Sequence, residues 1–552
     1  MNIIMSSLGY LYANVLPFIL LLGILVFVHE MGHFLVARAC GVRVEVFSLG
    51  FGKKILSFKK GYTTYCISIV PLGGYVKMFG EQSTDPASIP EADRAVSFTH
   101  KTVWQRIAIV LAGPLMNFFF AVLVFGFIAY SGEETRAARI SEVTVDSPAA
   151  AAGFKSQDLI LAVNNTPVRS YEEFQNALND TQNQSAQIQV QQAGEEPRTI
   201  TTQVVSVDNP NIFSGKKAIG AVTGILPYGK GSLVAVRPDS QVFKAGLRTG
   251  DEIVKIDDRK VQSWTELNRI TQTPATTVSV ERTTDGKKET LQLALNLPAT
   301  TKPSTLSDIG IESTDLYLEQ IVSGSPAAQA DLQRHDKIIS INGKPMEAWD
   351  NVLATIKSYD GKDALEFKIF REGTEIVKKI TPQVTSQTTF QGKEDKRYTI
   401  GIVPMANISQ PELVKVSEDS LIAATVKGID RSWDISVMTV MSFVRLFQGE
   451  VSHKNIGGMI SIGKAASDAY AMGLQQFLMT MGILSISLFI LNLLPVPVLD
   501  GGHLVFYAIE IVKGSPLSGR KLEIAHQIGF VLLMGLMVLA LFNDFTKFIF
   551  KT

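Results

Sequence analysis

Cysteine is nearly absent, with two in 552 residues, Cys40 and Cys66. Everything after Cys66 must therefore fold without disulfides, and redox chemistry says nothing about its compartment. Histidine is scarce too, at seven. Neither charge sign is in excess, since 52 Lys and Arg balance 52 Asp and Glu, so nothing argues for nucleic acid as a partner. No Lys or Arg precedes Arg38, and the first apolar run shows no clear small-residue cleavage site. That run lacks the features of a cleaved secretory signal and is expected to be retained.

What is present is apolar length. Hydrophobic residues make up 46% of the chain and charged residues 19%, over a length too great for one ordinary domain. Stretches near Ala13–Ala37, Val103–Tyr130, Leu474–Leu494 and Ile528–Phe542 are long and apolar enough to cross a bilayer. The loop after the first carries Arg38, Arg43, Lys53, Lys54, Lys59, Lys60, Lys77, Arg94 and Lys101. Such a bias places that loop in the cytoplasm, with both termini and the long central region outside.

Inside the first apolar stretch stand His29, Glu30 and His33, spaced H-E-x-x-H. On a helix, residues four apart share a face, so both imidazoles can reach one metal ion while Glu30 handles a proton. A chance match in a core helix is the plain alternative, but ionisable groups within an apolar span are costly and usually functional. With the span running inward from about Val15, His29 lies about 20 Å into a core of about 30 Å, in its inner half. The third stretch also runs inward and ends in Leu491–Leu504, LNLLPVPVLDGGHL. A hydrolytic zinc site usually has three protein ligands, and either Asp500 or His503 can supply the third. Pro495 and Pro497 break the preceding helix, and the paired glycines allow close backbone approach. On residue type alone Asp500 is also a plausible N-cap of the next helix.

Between the first two stretches, Phe47–Met78 alternates β-prone runs, such as Thr63–Val70, with glycines. It is expected to form hairpins, either as a small cytoplasmic sheet or as a loop dipping into the bundle and offering an open strand edge. In the second stretch Ala112-Gly113-Pro114 marks close helix contact, and Asn117 is expected to hydrogen-bond within the bundle. Leu421–Phe447 is amphipathic, fitting a surface-lying or domain-supporting helix better than a fifth span.

The central region repeats itself. Ser147–Val168, Ser240–Val261 and Ser325–Met346 align without a gap, each with an early Ala (Ala152, Ala245, Ala330), then Asp158, Asp251 or Asp336, then an apolar strand. This resembles the signature of PDZ domains, least so in the third copy, where Asp331 and His335 replace Gly246 and Gly250. PDZ units typically take peptides by strand addition, although any copy can also serve as a spacer. The expected divisions are 1–130 for the first two transmembrane helices and the β-loop, 131–208, 215–299 and 308–385 for three PDZ-like domains, 386–472 for a connecting helical region, and 473–552 for the last two transmembrane helices. The fold class is a polytopic α-helical membrane protein of about four transmembrane helices, with a membrane-associated β-hairpin and inserted PDZ-like domains.

The combination of HExxH, GGYVKM, AGPxxN, PDZ copies and NxxPxPxLDGGH resembles the site-2 protease family of intramembrane zinc metalloproteases, over both membrane ends of the chain. The resemblance implies Zn2+ on His29, His33 and Asp500, so that it selects Asp500 over His503, and Glu30 as the catalytic residue. It further implies that Asn492, Pro495, Pro497, Gly73, Gly74 and Tyr75 hold substrate. Implied partners are the lipid bilayer and single-span membrane proteins, such as a pre-trimmed anti-sigma factor or remnant signal peptides. The implied location is a bacterial inner membrane with the PDZ region periplasmic and the active site toward the cytoplasm. Two departures stand out: the family usually carries two PDZ domains against three here, and Met459 lies where Gly457–Ile462 would often have Pro. A non-catalytic PDZ scaffold with a structural metal is the competing reading. A secondary transporter would show inverted repeats of broken helices, which are missing.

Overall fold

The computed structural model describes residues 15–81, 89–144, 146–226, 228–261, 263–270, 277–284, 287–295, 305–388, 394–409 and 411–548. The Ala13 start expected for the first span lies outside them. Among the described residues, four helices are long and apolar enough to cross a membrane: α1 (Leu16–Ala39), α2 (Val103–Ser131), Leu474–Asn492 and Gly519–Phe548. Pro17 sits in the first turn of α1, where its missing N–H costs nothing. Thr102 and Gln105 close a capping box on α2.

Packing between α1 and α2 depends on missing side chains. A Cβ on Gly32 would fall 2.3 Å from the Ala112 carbonyl oxygen. The amphipathic segment is one helix, α3 (Leu421–Phe447), which buries Ala424, Gly428, Ser432 and Ser436 at every fourth position. A Cβ on Gly428 would meet the Val122 carbonyl oxygen at 2.5 Å, so α3 lies directly on α2. It continues through α4 (Met459–Ala471) into α5 (Leu474–Asn492), then α6 (Asp500–Lys513) and α7 (Gly519–Phe548). The buried Asp544 of α7 accepts the backbone N–H groups of Gly458, Ile460 and Ser461, capping α4.

β1 (Val44–Lys60) and β2 (Thr63–Met78) bend back on themselves into four strand segments. Val46–Leu49 pairs on one side with Thr64–Ile67 and on the other with Gly74–Lys77, while Lys54–Lys60 pairs with Thr63–Ser68. The order across the sheet is therefore 54–60, 63–68, 44–49, 74–78. The Thr63–Val70 run is central, with Cys66 paired to both Ser48 and Ser57, so the open edges are the outer segment 54–60 and Gly74–Met78.

The three repeats share a topology that their motif alone does not display. In each, the first strand pairs with one that returns after a hairpin: Glu142–Val143 with Ile225–Leu226, Leu233–Val236 with Ile311–Glu312, and Leu318–Ile321 with Ile402–Pro404. The cores accordingly take in Val222, Ile311 and Ile400, beyond the ends at 208, 299 and 385 expected from the motif. Within every unit the repeated aspartate is fully buried and accepts a local backbone N–H at 2.8 Å. It pairs with an arginine from the following hairpin: Asp158–Arg198, Asp251–Arg282 and Asp336–Arg371 at 2.5–2.7 Å. The third copy keeps the design by strain, since Asp331 (φ 56°) and His335 (φ 71°) take the left-handed backbone that Gly246 and Gly250 take in the second.

Candidate metal centre

HExxH lies on the face of α1 that packs against α2, with His33 buried. Its Nδ1–H donates to the Ile109 carbonyl oxygen at 2.9 Å, which fixes the tautomer and leaves the Nε2 lone pair free. The ring fits because residue 113 is glycine: a Cβ there would fall 2.2 Å from His33 Nε2. His29 Nδ1 lies 3.2 Å from the amide of the fully buried Asn117. Asn117 Nδ2 faces His29 Nδ1, and its Oδ1 has no other partner. Turning the amide over lets Oδ1 accept from Nδ1–H, and His29 Nε2 is then also a free ligand. Asn117 itself is held by Ser485 of α5, whose Oγ donates to its carbonyl at 2.8 Å.

Asp500 arrives from the other end of the chain. It is the first residue of α6 and not its cap, which is Leu499. The tight return from α5 needs both following glycines, because a Cβ on Gly501 or Gly502 would sit 2.3 Å from a carbonyl oxygen of the preceding loop. Asp500 Oδ2 lies 3.2 Å from His29 Nε2 and 3.6 Å from His33 Nε2, and the two Nε2 atoms are 3.3 Å apart. Tetrahedral zinc with bonds of about 2.0–2.1 Å requires ligand atoms about 3.3 Å apart. The three separations match one face of that tetrahedron, so the donor set fits Zn2+ with a fourth position open. Among the described residues, no other group of three His, Cys, Asp or Glu converges in this way.

Glu30 stays out of the triad. Its Cγ would lie 2.9 Å from a Cβ on Gly74, and the Val76 amide stands beside its carboxylate, so it borders the open Gly74–Met78 edge. Gly73 holds φ 138° with the Phe51 ring where a side chain would be, and Tyr75 stacks on Phe51 at 6.2 Å. Asn492 ends α5, and Pro497 packs on Gly529 of α7, with Pro495 exposed between them. His503 turns away from the triad toward His526 of α7, with ring centroids 5.4 Å apart. Sequence reasoning missed Arg106, Tyr507 and Glu510. Arg106 Nη2 donates to Glu510 Oε1 at 2.6 Å, and its guanidinium lies 4.9 Å from the Tyr507 ring centroid, tying α6 to α2. The one signal was an arginine just inside an apolar span.

Residues 17–536 match Peptidase family M50. The Regulator of sigma-E protease RseP of Salmonella typhimurium strain 14028s is 30% identical over 539 residues, covering 97% of this chain and 98% of that protein. Its namesake from Escherichia coli K12 is 31% identical over 536 residues, covering 96% and 98%. A Neisseria meningitidis serogroup A protein named as a zinc metalloprotease is 31% identical over 543 residues, covering 97% and 99%. With its triad, its spans and its repeats in place, the chain belongs to peptidase family M50 and is a zinc-dependent endopeptidase of the site-2 protease type, working within the membrane.

Proposed function

We propose that His29, His33 and Asp500 hold the zinc ion, that Glu30 is the catalytic acid and base, and that the substrates are transmembrane segments of single-span proteins. The observation that carries this is the convergence of three ligand atoms at 3.2–3.6 Å inside an apolar span, with Glu30 between them and an unpaired strand edge. When bound, zinc acidifies water and polarises the scissile carbonyl. Glu30 takes the proton of the attacking water and delivers it to the leaving amide nitrogen. A substrate helix hides its peptide bonds in its own hydrogen bonds and must unwind; the Gly74–Met78 edge replaces those bonds by strand addition. Gly73, Gly74 and Tyr75 shape that edge, while Asn492, Pro495 and Pro497 line the approach from the α5–α6 turn.

By likeness to relatives named as regulators of sigma-E, the substrate class includes an anti-sigma factor already trimmed outside, along with remnant signal peptides. The loop charges support a bacterial inner-membrane orientation with both termini and the repeats in the periplasm. The repeats then screen out substrates with bulky outer domains. The test is purified, zinc-loaded chain incubated with a labelled single-span substrate, beside Glu30→Gln. Wild type should cleave and the variant should retain zinc without cleaving; equal cleavage by both would end this reading. Asp500→Ala should lose zinc and His503→Ala should keep it.

A further inference from the structure

The outer hairpin of the sheet is built for a partner that the catalytic site does not need. Residues 51–62 are all exposed, including Phe51, Ile55, Leu56, Phe58 and Tyr62 at 45–75%. Lys53, Lys54, Lys59 and Lys60 alternate with them, and no Asp or Glu occurs between Glu45 and Glu81. With its outer edge unpaired and its apolar side chains exposed, this half of the sheet needs a cover.

Register locates the lysines in depth. Phe47 and Tyr65 pack on Phe34 of α1, and Lys60 pairs with Thr63, two strand residues further toward the end of α1 at Ala39. Lys54 pairs with Ser68, one step beyond the row of Leu56, Ile67, Leu49 and Gly74, and Gly74 touches Glu30. From Glu30 to the end of α1 at Ala39 is about 13 Å at 1.5 Å per residue. Two lysines thus stand at the inner end of α1 and two at the depth of the catalytic glutamate.

We propose that this outer hairpin binds the headgroups of anionic phospholipids and draws them inward to the depth of Glu30. The inference rests on the orientation proposed above, which places the hairpin in the inner leaflet. Cationic side chains within a bilayer are stabilised when headgroups and water reach them, thinning the bilayer locally. Lysines near an anionic surface gain about 1 kcal/mol each. Substrate is a poorer occupant, because segment 54–60 lies three strand spacings, about 14 Å, from the Gly74–Met78 edge. A second copy is poorer too, since pairing two such edges would set lysines against lysines.

The experiment places an NBD probe at Ser57→Cys in full-length chain carrying Cys40→Ser and Cys66→Ala, in nanodiscs of phosphatidylcholine with or without 30% phosphatidylglycerol. Anionic lipid should blue-shift NBD, let brominated phosphatidylglycerol quench it, and raise kcat/KM on a single-span reporter at least threefold. Replacing all four lysines by Gln should abolish these differences with zinc content unchanged, and replacing them by Arg should keep them. If the fourfold Gln variant fails to insert, the Lys53/Lys54 and Lys59/Lys60 pairs are tested separately, each losing part of the shift. Equal spectra in both lipids, or a Ser57→Cys disulfide dimer forming in the disc, would overturn the proposal. Because the probe needs no cleavage, a lipid response in a chain that cuts nothing would refute the proposed substrates and leave this inference standing.

Discussion

Arg106 and Glu510 are 404 residues apart in sequence and 2.6 Å apart in space, and only 14% and 16% of their side chains are exposed. The pair joins the first turn of α2, three residues before the helix becomes buried at Ile109, to the helix that begins with Asp500. Arg106→Gln should therefore leave a half-buried carboxylate unpaired, at about 1–3 kcal/mol of stability. Zinc affinity should fall about 10- to 100-fold as Asp500 loses its bearing. The exchange Arg106→Glu with Glu510→Arg should recover part of both, read by zinc titration and thermal unfolding in detergent.

Gly113 leaves room for the His33 ring. In Gly113→Ala the new Cβ would begin 2.2 Å from His33 Nε2, so the imidazole must move. The expected outcome is a folded chain with little or no bound zinc, since a helix interior otherwise favours Ala over Gly by about 1 kcal/mol. Far-UV circular dichroism should stay unchanged while metal content drops. A variant that keeps full zinc would show that the ring does not need this space.

Proline separates the edge of the sheet from its centre. Val76→Pro removes one amide beside Glu30 from the open edge and should lower kcat/KM at least tenfold with zinc retained. Thr64→Pro sits between two paired neighbours, Val46 and Lys59, and should destabilise the whole sheet. Limited proteolysis within 44–78 distinguishes them, with Thr64→Pro cut faster and Val76→Pro cut like wild type.

His335 makes the contact between the second and third repeats sensitive to acid. Its Nε2 is buried without a partner, against Gly250 and near Met405. Burial, then the neighbouring Arg334, holds its pKa below the usual histidine value of 6.5. A base depressed in the folded state binds its proton more readily when the contact opens. The contact is thus at full strength above pH 6.5 and weakens as pH falls from there toward the depressed value. Hydrogen-exchange protection factors at Thr249–Ile253, corrected for the intrinsic pH dependence of exchange, should fall between pH 7 and 5.5. His335→Gly should remove that pH dependence and relieve the left-handed strain at φ 71°.

Much of this was legible because it is local. HExxH needs only helical spacing to bring His29 and His33 together, and four apolar runs announce four spans by length alone. The three repeated aspartates could be read as a motif, although their burial against Arg198, Arg282 and Arg371 could not. Spacing also left Asp500 and His503 level, and only the resemblance preferred one. What separates them in space is the return from α5, where Gly501 and Gly502 pack against carbonyl oxygens, aiming the first residue of α6 at the histidines and the fourth at His526.

The β-loop shows the limit most clearly. Its composition determined that Phe47–Met78 would be strands. It could not determine which strand would be the edge, because period-2 patterning is the same for central and edge strands. Tertiary structure decided that by folding β1 and β2 back on themselves, placing Thr63–Val70 in the middle of the sheet and leaving Gly74–Met78 open beside Glu30. The sequence by itself determined the chemistry of the metal site. The approach of Asp500 to the histidines, the strand edge beside Glu30 and the Arg106–Glu510 pair are contacts between segments distant along the chain, which close packing alone brings together.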